Sequence, residues 1–233
     1  MTDKKRWLVV CVFALGMAWM ESATVVYLRT LVGRIEPHQA TPLPMSVGFG
    51  QVEIVREAAT LIMLLTVGLL AGRTWRSRLA YAMIAFGVWD IFYYVFLAII
   101  TGWPRSLLDW DVLFLIPLPW WGPVIAPVLI SLELIAGGTL VSQTDRPDRP
   151  VWPGVKAWAF NIAGVLLALY VFMTDALAVA PHGVDAVRQV LPGSFNWPLF
   201  IAAWLLMAAP IAAVGRSIGR GAKPISERWS LSQ

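Results

Sequence analysis

Cysteine is nearly absent from this chain: Cys11 stands alone. A single cysteine allows no intramolecular disulfide and no cysteine-based metal site. Histidine is almost as scarce. His38 and His182 are the only two, and both fall in segments that read as loops. That excludes a membrane-buried bis-histidine haem and a histidine-rich metal cluster. The chain also lacks a Gly-x-Ser-x-Gly elbow, a Walker loop and a dinucleotide fingerprint. No cofactor is therefore expected. Charge is sparse as well, at 14% of residues. The net charge of +4 does not point to nucleic acid, because the basic residues stand in short clusters between apolar runs, as topology determinants do.

What is abundant is apolar surface: 58% of the 233 residues are hydrophobic, and several runs approach or exceed the length of a bilayer crossing. These runs predict spans over residues 7–28, 52–71, 79–101, 123–141, 155–173 and 198–214. The resulting fold class is an all-α polytopic integral membrane protein, with six transmembrane helices and one short re-entrant or interfacial helix. Residues 1–215 form the transmembrane domain and residues 216–233 a basic cytoplasmic tail, expected to be mobile. The basic start resembles a signal peptide. The apolar run continues past Trp19 and Met20, however, and Glu21-Ser22-Ala23 makes a poor cleavage site, so an uncleaved first span is expected. A three-plus-three inverted repeat fits this topology, but the two halves show no matching sequence.

Thirteen of the 18 basic residues fall on one side of this arrangement. They are Lys4, Lys5 and Arg6; Arg73, Arg76 and Arg78; Arg146, Arg149 and Lys156; and Arg216, Arg220, Lys223 and Arg228. Arg34, Arg105 and Arg188 lie opposite. The positive-inside rule then places both termini in the cytoplasm, which six spans also require. The expected location is a bacterial cytoplasmic membrane.

Residues 109–127, DWDVLFLIPLPWWGPVIAP, are both the most irregular and among the most hydrophobic. Pro117, Pro119, Pro123 and Pro127 each remove a backbone donor, so a regular span is excluded. A short helix over residues 109–116 that dips into the outer face and returns at Pro117 and Pro119 is expected. Non-helical backbone at membrane depth survives where it is buried in protein or lines a wet cavity, so this stretch predicts a polar recess. Trp103-Pro104, Trp152-Pro153 and Trp197-Pro198 each read as the start and interfacial anchor of a helix. Residues 184–191 fit a short surface helix. Gly137-Gly138 reads as a close helix contact, and Ser22, Ser131 and Thr139 as helix back-bonders.

Glu21, Asp90 and Glu133 lie well inside apolar runs, where each ionised acid costs roughly 2.5–3.5 kcal/mol. They must be protonated, paired or solvated. By depth, Glu21, Arg29, Glu53, Arg56, Glu57, Asp90, Tyr93, Tyr94, Asp109 and Asp111 gather toward the outside and form the candidate ligand or ion pocket. Glu53 and Glu57 share a helix face, and Arg56 can bridge a carboxylate. Tyr93 and Tyr94 stand within reach of Asp90. Two readings follow: a structural network that holds the helices in register, or a functional pocket whose excess of acids suits a cation or proton. Carboxylates alone suit hard cations, but no ligand spacing is diagnostic and no metal site is assigned. The leading function is binding or translocation of a small cation or a proton-coupled solute. A non-catalytic subunit or assembly factor of a larger membrane complex is the second reading, supported by 13 Trp and the lack of cofactor ligands. A membrane-embedded enzyme using carboxylates for proton transfer is the third. The expected partners are the lipid bilayer, a small cation, proton or solute, and other membrane proteins, with no nucleic acid.

Overall fold

The computed structural model describes residues 1–33, 36–37, 49–146 and 151–221. The expected loop around Pro42, His38, Arg149 and the end of the tail lie outside the described residues. Six helices are long and apolar enough to cross a membrane, in keeping with a polytopic protein. They are α1 (Asp3–Leu31), α2 (Phe49–Ala71), α3 (Trp75–Thr101), α4 (Ile125–Thr144), α5 (Val155–Val179), and a last span made of α7 (Trp197–Met207) and α8 (Ala209–Gly221). A 3-10 turn (Ala180–His182) and the one-turn helix α6 (Val184–Arg188) follow α5.

The helix limits follow local chemistry. Thr2 caps α1 by accepting from the Lys5 N–H, and Thr74 and Ser77 form a reciprocal capping box at the start of α3. Gly102, at φ 73°, ends α3 in the left-handed region that glycine tolerates best. Asn196 caps α7, with Pro198 in its first turn. The last span is interrupted at Ala208, two residues before Pro210, which has no N–H to continue the ladder.

Helix α3 sits at the centre, packed against α1, α2 and α4. Its Tyr81 and Ile84 share a buried cluster with Val10 and Ala14 of α1 and Leu64 of α2. A second cluster joins α5 and α7 through Ala168, Phe172, Phe200 and Ala203, with Ala126 of α4. Close approach depends on glycine. A Cβ on Gly87 would lie 2.6 Å from the Ser131 carbonyl oxygen, and one on Gly138 would lie 2.5 Å from that of Ala80. So α3 and α4 touch backbone to backbone at two levels, the small-residue packing expected of Gly138.

The expected short helix over residues 109–116 is not present. Trp110–Phe114 (β1) pairs antiparallel with Trp120–Pro123 (β2), so the fold is not purely α-helical. The sequence favours this outcome physically: Trp, Val and Phe suit a pleated surface, and Pro117 and Pro119 occupy the turn, where a missing donor is harmless. The ladder is extended by Val124 N–H to the Asp109 carbonyl (3.0 Å) and Ile125 N–H to that of Leu107 (2.8 Å). The segment thus leaves and returns at one end of the bundle. Trp103-Pro104 precedes a turn leading into this hairpin rather than a helix, because Gly102 has already ended α3. Residues 216–221 continue α8. The short helix expected over residues 184–191 ends at Arg188.

Candidate functional site

The hairpin closes over the end of the bundle where α1 and α3 finish and α2 begins. Between them lies a cavity of about 150 Å³. Glu21, Arg29, Glu53, Arg56, Glu57, Asp90, Tyr93 and Tyr94 all line it, together with Thr60, Trp89 and residues 112–115 of the hairpin strand and turn. Eight of the ten residues singled out by depth therefore share one wall.

Arg56 stands between two acids. Its Nε donates to Glu53 Oε2 at 2.9 Å, Nη2 pairs with the other Glu53 oxygen, and Nη1 pairs with Glu21. Glu21 also accepts from the Thr60 hydroxyl at 3.2 Å. Arg29, in the last turn of α1, donates to Asp111 Oδ1 at 3.0 Å and lies over the Trp103 ring, 4.4 Å from its centroid. Asp111 does not line the cavity; it is buried just behind it, held by this pair.

Two carboxyls have no cationic partner among the described ion pairs. Glu57 is 8% exposed, and both of its oxygens accept from the Leu115 N–H, at 3.2 and 3.0 Å. Asp90 is 6% exposed and accepts from the Ser131 hydroxyl at 2.8 Å. Neither tyrosine supplies that bond to Asp90. Their rings are held instead in an aromatic row, with Tyr93 stacked on Trp89 at 6.2 Å and edge-on to Tyr94 at 5.0 Å. The Trp89 indole N–H is buried at the cavity with no hydrogen-bond partner among the described residues.

Asp109 stands apart from the cavity. Its carboxylate accepts from the Arg105 N–H (2.7 Å) and the Ser106 N–H (3.3 Å), capping the turn before β1. This local bond is the ordinary use of Asp in a turn, and it outcompetes a place in the pocket. Glu133 is also separate and lines a different cavity toward the other end of the bundle.

Sequence reasoning passed over Thr60, Trp89, the Leu115 amide and the true role of Ser131. Thr60 follows Arg56 by four residues and Glu57 by three, a spacing that places it on their face. Ser131 serves another helix rather than its own backbone. Ser22 does both, with its Oγ 2.8 Å from the Ala18 oxygen and 3.0 Å from that of Tyr93. Thr139 accepts from the Trp7 indole at 2.9 Å. The Leu115 amide had no sequence signal, since it depends on the turn of the hairpin. Among the described residues no group of three or more His, Cys, Asp or Glu is arranged to hold a metal ion.

No protein-family model matches the chain, and neither the curated proteins nor the solved structures contain a significant match to it.

Proposed function

We propose that this integral membrane protein binds, and passes across the membrane, a proton or small monovalent cation through the cavity beneath the hairpin. Both termini lie in the cytoplasm in this reading, so the cavity faces outward. The positive-inside count supports that orientation, since Lys4, Lys5, Arg73, Arg76, Arg78 and Arg146 lie at the end opposite the hairpin.

The observation that carries the reading is the imbalance of charge. Among the described residues, four carboxyls line the cavity and a fifth, Asp111, lies behind it, against the two guanidiniums of Arg29 and Arg56. Among the described residues Glu21, Glu53 and Asp111 pair with those cations, while Glu57 and Asp90 are buried and make no ion pair. A carboxyl in such a setting holds either a proton or a bound cation, because an isolated buried charge is too costly to persist. Glu57 sits under the hairpin turn and Asp90 lies deeper, on α3 against α4, so the two mark successive stations for the ion.

Reconstitution into proteoliposomes with an entrapped pH- or cation-sensitive dye tests this. Under an imposed proton, sodium or potassium gradient, wild-type vesicles are expected to discharge at least tenfold faster than empty ones. Glu57→Gln and Asp90→Asn are each expected to lose most of that flux while the protein still extracts as a folded species. Wild-type vesicles no faster than empty ones under all three gradients, with no saturable cation binding to the purified protein, would overturn the proposal.

A further inference from the structure

A second cavity, of about 250 Å³, lies between α3, α4, α5 and the junction of α7 with α8. Its walls are almost wholly apolar, and the polar groups in them include the Glu133 carboxyl, the Asn161 amide and the Trp158 indole N–H. Glu133 Oε1 is buried there with no hydrogen-bond partner among the described residues. The helix break at Ala208 ends α7 and starts α8 at the cavity wall, so the opposite partial charges of the two helix ends offset each other there and Glu133 supplies the negative charge. Asn161 Nδ2 donates to the Met207 carbonyl at 2.8 Å, steadying that broken end. Among the described residues, no lysine, arginine or histidine lines the space.

Depth narrows the occupant. At the helical rise, Glu133 stands about 12 Å along α4 from its first residue, and Met207 about 15 Å along α7. Both lie near the middle of a layer roughly 30 Å thick, out of reach of a phospholipid headgroup. A strongly hydrated metal ion would have to exchange its water for aliphatic walls, an unfavourable trade. A protonated amine with an apolar body satisfies both halves of the site. An apolar cavity of about 150 Å³ is known to hold benzene, so this one has room for a ring and a short arm.

We propose that this cavity is a binding site for a hydrophobic organic ammonium, whose N–H donates to Glu133 while its body fills the space toward Met83, Ile211 and Val214. The proposal is independent of the cavity beneath the hairpin.

Equilibrium dialysis of the full chain in lipid nanodiscs, corrected with empty nanodiscs, tests it. The probe is labelled N,N-dimethyl-2-phenylethylamine at pH 7, with 2-phenylethanol as the uncharged comparison. Saturable binding of the amine at least tenfold tighter than the alcohol is expected, and Glu133→Gln, which keeps the volume, should abolish that preference. Equal affinities, or a preference that survives Glu133→Gln, would overturn the proposal. If that variant does not fold, the wild-type protein decides: dicyclohexylcarbodiimide labelling of Glu133, read by peptide mass, should slow at least tenfold with the amine and not with the alcohol. Unchanged labelling overturns the proposal.

Discussion

Arg29 Nη2 lies 3.0 Å from Asp111 Oδ1, and this contact ties the last turn of α1 to the first strand of the hairpin. Both side chains are largely withdrawn from solvent, at 13% and 1% exposure. Removing one partner alone strands a buried charge, which typically costs about 3–5 kcal/mol. Arg29→Met is therefore expected to lower the melting temperature in detergent and to free the hairpin. Arg29→Met with Asp111→Leu should regain most of the loss. A single variant that melts like wild type, followed by tryptophan fluorescence, would show that the pair does not hold the hairpin.

Arg56 is shared by Glu21 and Glu53, so its replacement unbalances two carboxylates at once. Arg56→Ala should destabilise strongly. Pairing Arg56→Met with Glu53→Gln should recover only part of the stability, because Glu21 keeps just its Thr60 hydroxyl. Adding Glu21→Gln should recover the remainder, with ion flux lost if the cavity is functional and kept if the network is structural. Equal melting temperatures for the double and triple variants would remove Glu21 from the network.

Topology is checked by cysteine labelling in a background where Cys11 is replaced by Ala. A cysteine at position 76 should react only after the membrane is permeabilised, and cysteines at 105 and 184 should react from outside. Labelling of position 76 in sealed cells would invert the orientation and place the cavity on the cytoplasmic side.

Much of the bundle was legible because each span is a long apolar run and because Pro198 opens its helix by local chemistry, whereas the Thr74 cap, which starts α3 four residues before the expected 79, was not. Most of the cavity residues were legible for a related reason. Acids in an apolar run must find partners, and the order of the spans fixes their depth. Pairing was much less legible. Nothing in the sequence near Asp90 names Ser131, 41 positions away, and nothing near Glu57 names the Leu115 amide. The hairpin was misread for a definable reason: a short apolar stretch with β-prone residues fits a strand or a helix by composition, and only its partner strand decides. Asp109 was misplaced because depth alone cannot tell a carboxylate that faces inward from one that caps its own turn.

Asp145 provides the last test, at the end of the bundle opposite the hairpin. It stands just beyond α4 and is buried. Burial alone would raise its pKa. The Thr74 hydroxyl at 2.6 Å, Arg76 Nε at 2.8 Å and the Val151 N–H at 3.2 Å outweigh burial and hold the carboxyl below its usual range. A folded-state pKa below the unfolded one, about 3.9 for Asp, contributes stability that is fully present above that value. The contribution is lost as pH falls through the folded pKa. Asp145→Asn keeps the shape but gives up the charge-assisted bonds, at about 1.5–3 kcal/mol. The melting temperatures of wild type and variant should therefore differ most at neutral pH and converge as the pH is lowered below about 4. A gap that stays constant down to pH 3 would mean that the carboxylate charge does not hold the α2–α3 turn to the end of α4.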